Sequence, residues 1–246
     1  MPPNLDRRGV LLGAAGAMFL SGLQPAAVRA QPDAGANKLR IGVIGSGHIG
    51  GTIGGLWVKA GHPVLFSSRH PEELKDLVAS LGALAKAGTV DEAIAFGDVV
   101  FVALPYGALP QIGRDYAAAL NGKVVMDACN AVAARDGDIT AEVEKNGIGV
   151  TSQKYLPGTR LVRAFNTLNY LVFAREANRP DPKLAVPIAG DDPQAVQIAG
   201  GLVRDAGFDP VVVGKLADAS RFQMGGPGFH QEVTAAELKR TLSLAP

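Results

Sequence analysis

The sequence predicts an α/β protein: a doubly wound, mostly parallel sheet with a short C-terminal extension. Three observations point there. Residues 39–69, LRIGVIGSGHIGGTIGGLWVKAGHPVLFSSR, read as strand, glycine-rich turn, helix and second strand. Short apolar runs then alternate with helical stretches as far as residue 213. One of them, Asp98-Val99-Val100-Phe101-Val102-Ala103-Leu104, is continuously apolar after its first residue, as a strand buried on both faces must be.

Residues 41–44 are apolar and β-branched apart from Gly42, fit for a central parallel strand. Gly45, Gly47 and Gly50 follow as G-x-G-x-x-G at the strand-to-helix turn, the Rossmann-type dinucleotide fingerprint. Gly45 permits a tight turn, Gly47 lets a pyrophosphate approach the backbone, and Gly50 lets the helix pack on the strand. A helix starting near His48 points its unpaired N–H groups at the phosphates. It runs through Trp57 and Lys59 and stops at Gly61. Gly45, Ser46, Gly47, His48, Ile49 and Gly50 are therefore the candidate phosphate-binding residues. The competing reading is a glycine-rich helix start that packs closely and binds nothing.

The end of the second strand, 64–66, chooses between cofactors. An NAD site places Asp or Glu about 20 residues beyond the glycines, to hold the ribose 2′-hydroxyl. Here stand Ser67, Ser68 and Arg69, with His70 next. Serine hydroxyls donate to a 2′-phosphate and a guanidinium pairs with it bidentately, whereas a carboxylate repels it. The expected cofactor is NADP. Without a cofactor, Arg69 and His70 would be solvated side chains ahead of the helix that Pro71 begins.

Pro71 suits the first turn of a helix over 71–81. A weak third strand (83–87) and a short helix (89–96) precede the fourth strand, 98–104, which ends at Pro105-Tyr106. That end lies beside the first strand's, at the switch point where open α/β sheets bind ligands. Leu104 and Pro105 should flank the nicotinamide ribose, with Tyr106 packed near it or lying as a lid residue on a helix. A helix over 107–120 leads to a fifth strand, 123–126, ending in Asp127-Ala128-Cys129-Asn130. Asn130 is placed to bond the cofactor or to cap the loop. Strands are expected at 160–165, 185–189 and 209–213, the second at a sheet edge because it contains Pro187. Helices are expected at 193–206 and 234–244, the latter opening on a Thr-Ala-Ala-Glu capping box. Residues 131–159 receive no assignment.

Residues 1–30 are expected to address the chain. Arg7-Arg8 precede a moderately apolar stretch, 9–23, and Val28-Arg29-Ala30 offers small residues before Gln31. This is the layout of a twin-arginine signal peptide, with an apolar core too short for a membrane span. The alternative is an alanine-rich extension with a chance arginine pair. Residues 31–38 form a linker, 39–168 the NADP-binding part and 169–246 a smaller C-terminal α/β part. The formal charge of +1 becomes about −1 without the leader's Arg7, Arg8, Arg29 and Asp6, which excludes an electrostatic nucleic-acid binder. Cys129 is the single cysteine, so no intramolecular disulfide is possible. The four histidines, His48, His62, His70 and His230, do not fall at metal-binding spacings. A periplasmic or secreted location follows from the leader, and twin-arginine export resembles the route of proteins that fold around a cofactor first. Phe222, Met224 and Phe229 leave apolar surface for a homodimer.

Several segments together resemble the NADP-dependent oxidoreductases of the coenzyme F420 reductase family: IGVIGSGHIGGTIG, the SSR after the second strand, VALPYGAL, RAFNTL and LADASR. The likeness covers most of 39–221 and extends to the oxidoreductase domains of membrane ferric reductases. It implies NADP phosphates on residues 45–49, a 2′-phosphate on Ser68 and Arg69, and nicotinamide against Leu104-Pro105 with Ala164 near the ring. There are departures. Leu104-Pro105-Tyr106 replaces the family's IPW, and Ala108 and Asn166 replace histidines. Glu73 stands in place of a lysine at the 2′-phosphate, with Lys75 close by. Most fall on the acceptor side.

Hydride transfer to a flavin, or to coenzyme F420, needs two flat rings stacked with reacting carbons roughly 3–3.5 Å apart. It needs little acid–base machinery. The sequence shows no Ser-Tyr-x-x-x-Lys set, no catalytic His-carboxylate pair and no acid–base lysine at a strand end, and Asp127 is the one carboxylate on the binding edge. The expected function is NADPH-dependent hydride transfer to a small-molecule acceptor of this kind, or to a ferric chelate through a flavin. Two alternatives remain: a reductase of the hydroxyacid or imine type, and a non-catalytic NADP-binding protein. The first carries a large helical substrate domain, for which the residues after 213 are too few.

Overall fold

The computed structural model describes residues 38–245; the expected leader and residues 31–37 of the linker lie outside the described residues. Eight strands form one sheet: β1 (Ile41–Ile44), β2 (Val64–Ser67), β3 (Ala85–Gly88), β4 (Val99–Val102), β5 (Val124–Asp127), β6 (Arg160–Arg163), β7 (Ala185–Gly190) and β8 (Asp209–Gly214). Their spatial order is β3-β2-β1-β4-β5-β6-β7-β8. Neighbours from β3 through β6 are parallel, β7 runs antiparallel to β6, and β8 is parallel to β7. The mostly parallel sheet is the one the sequence predicts. Strands from 39–168 and from 169–246 both enter it.

The order reverses between β1 and β4, whose ends lie level with Ile44 beside Val102. A crevice opens at such a reversal because the helices after the two strands leave on opposite faces. Side chains show this alternation. Ile41, Val43, Val99 and Phe101 face one layer with Trp57 of α1 (His48–Lys59). On that face α2 (Lys75–Leu81) packs its partly buried leucines. Ile44, Val100 and Val102 face the other layer, with Ile94 of α3 (Val90–Phe96) and Leu109 of α4 (Leu109–Asp115). Each such side chain contributes about 1.5–3 kcal/mol when fully buried.

Local chemistry sets the ends of these helices. Gly61, with φ +92°, donates to Val58 O, and His62 N–H reaches Trp57 O at 2.9 Å. This paired motif ends α1 where the sequence places its stop. Thr89 and Glu92 cap α3 reciprocally. That helix lies close to β1 because Gly42 has no side chain: a Cβ there would stand 2.0 Å from Ala93 O.

Several expectations are corrected. The helix expected at 71–81 begins as a 3-10 turn, Pro71–Leu74, before α2. The one expected at 107–120 divides into a 3-10 turn (Tyr106–Ala108), α4 and α5 (Ala117–Leu120). Residues 131–159 hold three helices, α6 (Ala133–Asp136), α7 (Ile139–Asn146) and α8 (Ile148–Tyr155). A fourth unexpected helix is α9 (Tyr170–Glu176), followed by the expected α10 (Pro193–Asp205) and α11 (Ala235–Thr241). β7 is interior, not an edge strand. Pro187 is tolerated there because β6 pairs with β7 only at Gly190 and Ala189. Beyond that pairing, the segment before α11 supplies Val233 O to Ala185 N–H at 2.9 Å. Phe222 is fully buried and Phe229 half-buried, so of the three C-terminal residues expected to seek a partner only Met224 is exposed. Among the described residues no helix is long and apolar enough to cross a membrane.

Candidate cofactor site

The carboxyl ends of β1, β2 and β4 open onto a cleft of about 770 Å³. Gly45, Ser46 and Gly47 line it from the turn after β1, Ser67, Ser68 and Arg69 from the end of β2, and Leu104 and Pro105 from the end of β4. Val90, Ile112 and Tyr116 add apolar surface, and Glu73, Gln111 and Asp115 also line it.

The three glycines act differently. Gly45 has φ +95°, and a Cβ on it would stand 2.5 Å from Ala103 O. A Cβ on Gly50 would stand 1.9 Å from Gly45 O. Packing alone requires both to be glycine. Gly47 is exposed, and a Cβ there would meet nothing within 4 Å. No protein contact explains it, and it borders the cleft. α1 then begins at His48 without a side-chain cap and without an acidic residue in its first turn. Helix N-termini ordinarily satisfy their free N–H groups with a side chain. An uncapped 12-residue helix behind an open glycine fits the pyrophosphate of a dinucleotide.

The end of β2 divides into structural and available groups. Ser67 is buried and its hydroxyl donates to Val43 O at 2.8 Å, so it secures β2 to β1 rather than facing a phosphate. Its carbonyl accepts from Ser46 Oγ at 3.0 Å, tying the glycine turn to the same strand. Ser68 Oγ accepts from His70 N–H at 3.0 Å and keeps its own O–H to donate. Arg69 is exposed, lines the cleft and has no ion-pair partner among the described residues. His70 faces Glu72 on the surface at 3.4 Å.

The far side of the crevice differs more from expectation. Tyr106 is fully buried, and its hydroxyl lies 3.1 Å from Ser152 Oγ, with burial pushing the phenol well above its ordinary pKa. Its ring anchors the 3-10 turn into the core under α8, so no face is left for a cofactor. Ala164 is likewise fully buried, in the core beneath the sheet edge. Asn130 stands half-buried on the rim and donates to Asn166 O at 2.6 Å, the bond of a loop-fixing residue. Ile49 packs against the α1-side core, while His48 is exposed with its ring stacked on Tyr170 at 4.2 Å and 10°. Tyr170 belongs to an unexpected helix, and nothing local in the sequence signals that contact.

Asp127 and Arg163 end adjacent strands, and both are fully buried. Asp127 Oδ2 and Arg163 Nη1 lie 2.5 Å apart as an ion pair, without the alignment of a hydrogen bond. Asp127 Oδ1 accepts from Cys129 N–H at 2.8 Å, and Arg163 Nη2 donates to Cys129 O at 2.7 Å. The pair thereby clamps the loop after β5. Burial, reinforced by the Asp127 charge, pushes the Cys129 thiol well above its ordinary range and leaves it inert. Among the described residues no group of His, Cys, Asp or Glu is arranged to hold a metal ion.

Comparison with known proteins points to the same fold class. Residues 40–131 match the family "NADP oxidoreductase coenzyme F420-dependent". Over 187 residues the chain is 28% identical to metalloreductase STEAP3 of Rattus norvegicus, covering 73% of this chain and 35% of that protein. It thus spans about a third of that relative's length. Protein SMa0349 of Sinorhizobium meliloti superposes with a TM-score of 0.70 at 27% identity, covering 80% of this chain and 95% of that one. A candidate F420-dependent NADP-reductase from Arthrobacter sp. FB24 shares the fold, with a TM-score of 0.65 at 20% identity over 80% of this chain and 99% of that one. Residues 40–131 thus carry a domain that matches this family, set on a Rossmann-class sheet.

Proposed function

We propose that this chain is an NADP-dependent oxidoreductase that transfers hydride between NADP(H) and a flat-ring acceptor: a flavin, a deazaflavin such as coenzyme F420, or a ferric chelate reached through a flavin. The observation that carries the proposal is the state of the ionisable groups at the carboxyl edge. Asp127 is buried and held by Arg163, and the Tyr106 hydroxyl is spent on Ser152. Neither can give a proton to a carbonyl or imine substrate. An acceptor ring that delocalises incoming charge and takes its proton from solvent needs no such donor.

The dinucleotide, when bound, supplies a hydride, two electrons with one proton, and leaves oxidised. The residues hold and orient. Backbone N–H groups at the start of α1 meet the pyrophosphate, with Gly47 leaving room for its approach. Ser68 and Arg69 meet a 2′-phosphate. Val90, Ile112 and Tyr116 offer apolar surface to the adenine, and Leu104-Pro105 bounds the ribose side.

The test is NADPH oxidation followed by absorbance against flavins, coenzyme F420, ferric chelates with and without flavin, and a set of imines and oxo acids. Turnover with a ring acceptor supports the proposal. Turnover confined to imines or oxo acids overturns it.

Two wider proposals accompany it. Export through the twin-arginine leader would place the enzyme in the periplasm or outside the cell. A homodimer would cover exposed Met224 near the C-terminus. Light scattering that returns the mass of one mature chain at high protein concentration removes the dimer.

A further inference from the structure

We propose that Glu73 sets the balance between NADP(H) and NAD(H), acting against Arg69 at the same end of the cleft. This rests on the NADP(H) reading above and deepens it: the ribose-phosphate end is a mixed-charge site that admits both cofactors.

The turn after β2 places the two side chains together. His70 N–H donates to Ser68 Oγ at 3.0 Å, and Glu73 N–H closes the 3-10 turn on His70 O at 3.1 Å. Arg69 and Glu73, one turn apart, both line the cleft. The two neighbouring glutamates part ways. Glu72 lies 3.4 Å from His70 on the surface and does not line the cleft. Glu73 has no ion-pair partner among the described residues. It also borders a shallow depression on the other flank of the glycine turn, which puts it on the ridge beside Ser46 and Gly47. Arg69 and Glu73 are thus a cation and a carboxylate on one turn of the cleft wall, neither held in an ion pair among the described residues, while the other lining carboxylate, Asp115 at the end of α4, accepts from Gln111 Nε2 at 2.6 Å.

A phosphomonoester carries a charge of about −1.5 to −2 at neutral pH. Arg69 attracts it and Glu73 repels it. The ribose of NAD(H) presents hydroxyl donors instead, for which a carboxylate is the matching acceptor. One side chain thus weakens one cofactor and strengthens the other, which is how specificity arises from a repulsive element. Both groups are solvent-exposed, so the effect is moderate and screened by salt.

The experiment is titration of NADPH and NADH against the full chain and its Glu73→Gln, Glu73→Lys and Arg69→Ala variants, at low and at high ionic strength. At low salt Glu73→Gln should raise the NADPH-to-NADH affinity ratio by about 3- to 30-fold, tightening NADPH and loosening NADH. Glu73→Lys should move the ratio further the same way, and high salt should shrink both changes. A ratio within about twofold of wild type for Glu73→Gln, or parallel loss of both cofactors, overturns the inference. Arg69→Ala separates the two levels: selective loss of NADPH leaves the NADP(H) reading standing even where Glu73 proves silent. Failure of the wild-type chain to bind either cofactor overturns both.

Discussion

Arg163 Nη1 stands 2.5 Å from Asp127 Oδ2, both side chains fully buried at the carboxyl ends of neighbouring parallel strands. A carboxylate at that edge invites a catalytic reading, but its surroundings argue against one. Each partner is the other's compensation, and each also holds the backbone of Cys129.

Breaking the pair should therefore act on stability. Arg163→Met leaves the Asp127 carboxylate buried and alone, and should cost about 3–5 kcal/mol in urea unfolding at neutral pH. Arg163→Met with Asp127→Leu should recover most of that loss, because no isolated charge remains. An Asp127→Asn variant that unfolds like wild type yet loses all turnover with saturating NADPH would show instead that Asp127 is catalytic.

The glycine turn yields a contrast between two conservative changes. Gly50→Ala drives a Cβ into Gly45 O, so α1 must move off β1, and the variant should be strongly destabilised or fail to fold. Gly47→Ala meets no protein atom within 4 Å. Alanine is a poorer N-cap than glycine, so its melting curve should fall by less than about 1 kcal/mol. Its NADPH affinity should drop at least tenfold, since the methyl group takes the approach to the pyrophosphate. Unchanged affinity in Gly47→Ala would make the open space incidental.

The contrast also shows what a sequence can disclose. The glycine turn was legible because its chemistry is local: spacing, strand, helix and Gly61 all lie within about 20 residues. Gly42 carries no such signal, since its reason is Ala93 on a helix far along the chain. Residues 131–159 were opaque because α6, α7 and α8 are at most eight residues each, too short for a clear period, and are broken by Gly137 and Gly147 at φ +64° and +81°. Pro187 misled because the rule against proline in a central strand assumes a neighbour of full length, and β6 has four residues. At the cleft, the type of residue was readable and its direction was not. Ser67 and Ser68 look alike in sequence, yet the strand's alternation sends one hydroxyl to Val43 O and leaves the other at the mouth.

Export is tested at the leader. Replacing Arg7-Arg8 with two lysines keeps charge and length and removes the receptor-read pair. Precursor should then accumulate in the cytoplasm, while wild type should mature with Gln31 at its N-terminus by mass spectrometry. Normal export and maturation of the lysine variant would remove the twin-arginine proposal.

Cofactor preference rests on a side chain that no protein group engages. Arg69 reaches the cleft exposed and without an ion-pair partner among the described residues, so removing it should leave stability within about 0.5 kcal/mol of wild type. The contact it would make to a 2′-phosphate is charge-assisted and bidentate, worth about 1.5–3 kcal/mol. Arg69→Ala should therefore bind NADPH roughly 10- to 150-fold more weakly. NADH lacks the phosphate, so its affinity should hardly change. Ser68→Asp should go further, because Ser68 is the serine whose hydroxyl remains available. A carboxylate there meets the phosphate directly and turns preference towards NADH. Ser67→Asp makes a different prediction: it buries a charge against Val43 O and should unfold the protein before selectivity can be read. Titrations belong at one fixed ionic strength, since the contact is screened. Equal weakening of both cofactors by Arg69→Ala would assign the guanidinium to the fold and leave the choice of NADP(H) without its principal residue.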